Sequence, residues 1–189
     1  MNLINELFSL EGKVAVIVGG GGHICSSLAE GYALSGASLS IVDLRLEKAL
    51  KISKNIHSKY GTKAISIQAD AVNEDSLKNA LSLTLKEFSK IDILINGAGK
   101  NSPKPFLEIS IEEWDDVMNS QITATMMGCK IFGSQMLKQK RGSIINISSA
   151  SAGPPLSKAF LNLWYISLRV RDVIFLIVRI NIQCNDSLL

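Results

Sequence analysis

Residues 13–43, KVAVIVGGGGHICSSLAEGYALSGASLSIVD, restrict the fold more than any other stretch of the chain. Val14 to Val18 is an apolar run too short for a helix, bounded by Lys13 and by four consecutive glycines. Such a run reads as a strand buried on both faces that delivers into a glycine-dependent loop. Beyond the glycines the apolar period changes. Ile24, Leu28, Tyr32 and Ala33 share one helical face, and Gly36 supplies the stop. A second apolar run, Leu39 to Val42, ends in Asp43. Strand, glycine turn, helix and acid-tipped strand is the arrangement that holds a dinucleotide.

The chemistry of that arrangement follows from its backbone. A helix N-terminus offers free N–H groups and a partial positive charge, which attract a pyrophosphate. Gly19, Gly20, Gly22, His23 and Ile24 form the turn and the helix start, and are the candidate phosphate contacts. Glycines there let phosphates approach without a Cβ in the way. His23 has two readings, donation to a phosphate oxygen or a side chain in solvent. Asp43 stands where a carboxylate accepts both hydroxyls of an adenine ribose and repels a 2′-phosphate, so the sequence favours NAD over NADP. Arg45, two residues on, keeps NADP in play.

A length of 189 residues suits one domain with a sizeable core, and the expectation is a single domain over 1–189. The net charge of +3 is scattered, with no basic stripe and no interleaved aromatics, which argues against nucleic acid. Cys25, Cys129 and Cys184 show no metal or redox spacing, and an odd count favours free thiols in a reducing cytoplasm. The opening MNLINELFSLEGK lacks the pattern of a signal peptide, and no run reaches the ~18 apolar residues of a membrane span. The expectation is a soluble cytoplasmic protein with no membrane partner.

Further along, helical and strand patterns keep alternating. Glu47 to Tyr60 reads as an amphipathic helix closed by Gly61, and Ala64 to Ala69 as a strand ending at Asp70. Asn73 caps a helix carrying Leu77, Leu81, Leu85 and Phe88 on one face. Ile91 to Ile95 is a fourth strand leading into Asn96-Gly97-Ala98-Gly99. Ser110 and Glu113 form a capping box for a helix from Ile111 to about Lys138, and Ser143 to Ser148 is a fifth strand. This alternation predicts an α/β fold, a doubly wound parallel sheet in the order 3-2-1-4-5 with helices on both faces.

VGGGGHI, Asp43, Asp70-Ala71-Val72, INGAG at 95–99 and GSIINISS at 142–149 together resemble the short-chain dehydrogenase/reductase family, from about Leu10 to Phe160. The resemblance implies that Asp70, Ala71, Asn96, Ala98 and Gly99 line the cofactor cleft, with Asn96 also bracing the sheet. It implies a small-molecule alcohol or carbonyl substrate and allows a homo-oligomer. The stretch GKNSPKPFLEISIEEWDDV looks most like members acting on sugar or polyol carbonyls. Two of the family's three glycine positions hold His23 and Cys25 instead, and Gly22 offers a shifted second glycine. Cys25 is small enough for tight helix-to-sheet packing.

The family's chemistry uses a tyrosine to exchange a proton with the substrate oxygen, a lysine to favour the phenolate, a serine to hold the carbonyl and an asparagine in support. By resemblance Ser149 is the serine, and Gln121 occupies the asparagine position with the same amide on a longer stem. The family spacing puts the tyrosine at Asn162 and the lysine at Ile166, and neither titrates usefully. Tyr165 and Arg169 form an i, i+4 pair three residues later, so Tyr165 is the candidate proton donor if the helix shifts by nearly a turn. Residues 161–189 do not match the family and read as an atypical, truncated C-terminal end, for which a frameshift, a truncation or a true terminus would look alike. An open edge at the fifth strand, with Val173 to Val178, is then an aggregation risk unless the tail pairs with it or a partner covers it. Two functions follow: an NAD-dependent oxidoreductase interconverting a secondary alcohol and a carbonyl, or a catalytically impaired relative that only binds the dinucleotide.

Overall fold

The computed structural model describes residues 7–148 and the backbone of 178–181. The chain runs β1 (Val14–Val18), α1 (His23–Leu34), β2 (Ser38–Asp43), α2 (Leu46–Tyr60), β3 (Ala64–Gln68), α3 (Glu74–Phe88) and β4 (Ile93–Asn96). It continues through α4 (Ile111–Met118), a π-turn (Asn119–Thr123), α5 (Ala124–Lys138), β5 (Ser143–Asn146) and β6 (Val178–Asn181). The sheet order is β3-β2-β1-β4-β5-β6, parallel through β5, so the expected 3-2-1-4-5 arrangement is present. β6 then pairs antiparallel with β5, Asn146 opposite Val178, so the edge of the fifth strand is covered.

Every residue of β1 is buried, as a central strand covered on both faces requires. Val16 and Val18 join the core under α3 and α5 with Leu77, Phe132 and Met136. Ala15 and Ile17 join the core under α1 and α2 with Ala29, Ala33 and Ile56. Two crossovers thus lie on each face, and the reversal of strand order between the parallel neighbours β1 and β4 leaves a crevice at the carboxyl ends of the strands.

The helices differ from their expected faces in informative ways. α1 buries Cys25, Ala29 and Ala33, while Ile24 is 63% exposed. Small residues at i, i+4 and i+8 let the helix sit close to the sheet, and the larger Leu28 and Tyr32 flank that seam. In α3 the seam is Leu77, Ala80 and Thr84, with Leu81 and Leu85 beside it. Asn73 caps this helix as expected, accepting from the Ser76 N–H at 2.9 Å. Residues 111–138 do not form one regular helix, because the hydrogen-bond register slips into a π-turn at Asn119–Thr123. Ser110 accepts from the Glu113 N–H at 3.2 Å, but the Glu113 carboxylate meets the Lys104 ammonium at 2.6 Å, so the cap is one-sided. A full opposite charge outcompetes a backbone N–H for that carboxylate.

Candidate functional site

The glycine loop after β1 is shaped by its own backbone. Gly19 and Gly20 both donate to the Val42 carbonyl, at 2.8 and 3.0 Å, which ties the loop to β2. Gly19 has φ +78°, and a Cβ there would lie 2.7 Å from the Ala98 nitrogen. Only glycine satisfies both the left-handed backbone and the close approach of the β4 loop. Gly20 packs inward, where a Cβ would lie 2.7 Å from the Ile41 side chain. Its place is therefore in the floor of the loop.

Asp43 is buried, at 6% exposure, directly beneath that loop. One carboxylate oxygen accepts from the Gly21 N–H at 2.9 Å, and the other from the Arg45 N–H at 3.0 Å. Each oxygen keeps a second lone-pair direction for a ligand hydroxyl. The Arg45 guanidinium is 3.9 Å away and mostly exposed. Asp70 is held in a turn, accepting from the Val72 N–H at 3.0 Å while its own N–H donates to the Ser76 hydroxyl.

These groups line one cleft of about 500 Å³. Gly19 and Gly22 form its floor, Asp43, Leu44, Arg45 and Asp70–Val72 lie toward β2 and β3, and Gly97–Lys100 lie toward β4. Asp116, Asn119 and Ser120 complete the wall on the π-turn side. Of the residues expected at a cofactor, Gly19, Gly22, Asp43, Asp70, Ala71, Ala98 and Gly99 stand on this wall. His23 and Ile24 are exposed and do not line the cleft; the His23 carbonyl accepts from the Ser26 and Ser27 hydroxyls. Asn96 is buried behind the wall. Its amide nitrogen donates to Asn146 at 2.9 Å and to the Cys129 sulfur at 3.4 Å, so it braces β4 against β5 and α5.

Gln121 is also off the wall. Its amide nitrogen donates to the Lys100 carbonyl at 2.7 Å, while the Lys100 N–H donates to the Ser120 hydroxyl at 3.2 Å. The π-turn rotates the helix phase and brings Asn119 and Ser120 to the cleft instead. The polar run Asn-Ser-Gln between Met118 and Ile122 is the one trace of this in the sequence. Ser149 and Tyr165 lie outside the described residues, as do Arg169 and the rest of the tail apart from 178–181.

Burial, and then the nearby Asp43 carboxylate, push the Cys25 thiol up to about 11. Cys129 is raised too, chiefly by burial. Both are protonated at neutral pH and ill suited to nucleophilic work. Cys25 fits where a Cβ on Gly97 would overlap its sulfur, so the cysteine and Gly97 together close the helix onto the sheet. At the opposite ends of the strands, a hollow of about 470 Å³ contains Asp92. That carboxylate is tied to the Val14 N–H at 3.0 Å and to the Lys90 and Arg141 side chains, a brace for the strand starts. Among the described residues no cluster of His, Cys, Asp and Glu is arranged for a metal, and no helix is long and apolar enough to cross a membrane.

Comparison with known proteins bears on the cleft directly. The chain is 32% identical over 145 residues to the D-threitol dehydrogenase of Mycolicibacterium smegmatis, covering 77% of this chain and 55% of that one. It is 32% identical over 146 residues to the 5-keto-D-gluconate 5-reductase of Escherichia coli, covering 77% and 57%. The chain therefore spans little more than half the length of these curated relatives. A solved putative D-mannonate oxidoreductase from Haemophilus influenza with bound NAD superposes with a TM-score of 0.77 at 30% identity, over 84% of this chain and 62% of that one. An NAD⁺-bound xylitol dehydrogenase shares the fold, with a TM-score of 0.76 at 24% identity, over 80% and 58%. Residues 13–160 match the family described as short chain dehydrogenase. With the glycine loop, the acid at the end of β2 and the INGAG segment meeting over one crevice, this chain belongs to that family of NAD(P)-using oxidoreductases.

Proposed function

We propose that the chain binds NAD in this cleft and acts as an oxidoreductase on a secondary alcohol or carbonyl of a sugar or polyol. The observation that carries the reading is the approach of Gly19 to Ala98 above the buried Asp43, which forms a cradle with no side chain in the way. The residues fit the group: Gly19 and Gly22 line the cleft without a side chain, Asp43 has lone pairs for ribose hydroxyls, and Asp70 with Ala71 borders the side toward β3. When bound, the nicotinamide supplies or takes a hydride. The protein holds the substrate oxygen in line for that transfer, a task proposed for Ser149. Tyr165 is the proposed proton carrier, and Gln121 a supporting amide. The names of the relatives, which concern threitol, mannonate and keto-gluconate, support a polyhydroxylated substrate. Free thiols at Cys25 and Cys129 suit the proposed cytoplasmic setting.

NAD is preferred to NADP in this reading because Asp43 is buried and acidic where a 2′-phosphate would fall. Fluorescence titration tests it: NADH should bind more tightly than NADPH, and a stronger NADPH signal would overturn the ribose argument. A second reading, nucleotide binding without turnover, is favoured by two observations. Asn162 and Ile166 occupy the family's Tyr and Lys positions, and the Gln121 amide is engaged by the Lys100 carbonyl. Steady-state assay with polyols and aldonates decides between the two. Turnover abolished by Tyr165→Phe supports the enzyme; NADH binding with no turnover on any of them supports the second reading.

A further inference from the structure

Lys100 stands where the glycine-rich end of β4 meets the π-turn, and nothing above uses its ammonium. We propose that this ammonium receives an anionic group of the substrate, a carboxylate on a polyhydroxylated chain, so that the cleft selects sugar acids over neutral polyols. The inference rests on the reading of the cleft as a dinucleotide and substrate site.

Three features support it. The backbone of Lys100 is fixed on both sides: its N–H donates to the Ser120 hydroxyl and its carbonyl accepts from the Gln121 amide. The side chain is thus presented from a fixed point on the cleft wall. Its partner is the Asp116 carboxylate, and the two side chains are 51% and 61% exposed. Exposed pairs of this kind are held weakly and exchange readily. An ammonium has three donors, so a second carboxylate can join it or displace Asp116. Finally, Arg45 and Lys100 are the two cations among the described residues that line the cleft, and Arg45 sits beside Asp43 on the β2 side. Lys100 lies across β1 on the β4 side, with Asp116 as its ion-pair partner. A neutral polyol offers that ammonium only a neutral hydroxyl acceptor, whereas a carboxylate supplies a stronger hydrogen bond between opposite charges.

The test is calorimetric titration of the full chain, first with NAD, then at saturating NAD with D-gluconate and with the neutral D-sorbitol. Gluconate should bind about five-fold more tightly than sorbitol. Lys100→Met should bring the ratio close to one, Lys100→Arg should retain most of it, and Asp116→Asn should raise it by about two-fold by freeing the ammonium. Failure of NAD to bind would overturn the nucleotide reading and the inference with it. NAD binding with equal gluconate and sorbitol affinities would overturn the inference alone. A loss in Lys100→Met confined to NAD would assign the ammonium to the cofactor's pyrophosphate, and would equally overturn it.

Discussion

The two walls of the cleft are built by different means. On the β1–β2 side the shape comes from backbone: Gly19 at φ +78°, two N–H groups on the Val42 carbonyl, and a buried carboxylate fastened to two more N–H groups. On the β4–α4 side it comes from side chains, with Ser120 and Gln121 clamping Lys100 and Asp116 pairing with it. The first wall cannot change without disturbing the sheet beneath it. The second can exchange a residue and still leave the core intact. A fold that keeps its nucleotide floor constant and varies its substrate side needs this division of labour.

If that contrast is right, substitutions on the first wall act on folding. Gly19→Val should have the largest effect, because it forces a β-branched residue into a left-handed backbone and drives a Cβ against Ala98. A loss of about 3–5 kcal/mol is expected, read as a lower urea midpoint. An unchanged midpoint would mean the loop is not held by its backbone. Asp43→Ala comes next. It leaves the Gly21 and Arg45 N–H groups without their acceptor, and should cost about 2–3 kcal/mol. It should also weaken NADH more than NADPH. Equal weakening of both would confine Asp43 to bracing the loop.

Cys25 sharpens the same point through pH. Its thiol is raised from 9.0 to about 11 by burial and by Asp43, so the native state holds the proton more tightly than the unfolded chain does. The stabilisation is therefore complete below about pH 9 and is lost as pH climbs through about 11. The expected fall across that window is on the order of 2 kcal/mol. Cys25→Ala should flatten it; an identical pH profile in the variant would remove Cys25 as the cause.

The sequence exposed the first wall far better than the second, for physical reasons. β1 is buried on both faces and its composition has to be apolar, and Gly19 and Asp43 meet requirements that few other residues satisfy. Apolar periodicity misplaced the seam of α1, because close packing on a sheet selects Cys25, Ala29 and Ala33 for smallness, while Ile24 is left exposed. The π-turn was hidden for another reason. It is associated with bonds from Ser120 and Gln121 to Lys100, twenty and twenty-one residues away in sequence. No local pattern encodes such a contact. Asn96 shows the same limit: its motif is legible, but only its partners Asn146 and Cys129 reveal that it braces the wall from behind.

Gln121→Ala is the smallest effect and the sharpest discriminator. It removes the 2.7 Å donor to the Lys100 carbonyl, a group close enough to solvent to be rehydrated, so the cost to folding should be about 1 kcal/mol or less. The consequence should appear in recognition. With one of its two tethers gone, Lys100 would no longer present its ammonium from a fixed point, and any preference for gluconate over sorbitol should shrink while the urea midpoint hardly moves. Gln121→Asn, one methylene too short to reach, should behave in the same way. A drop in stability matching that of Gly19→Val would mean that the clamp carries the fold, and that the two walls are one structural unit after all.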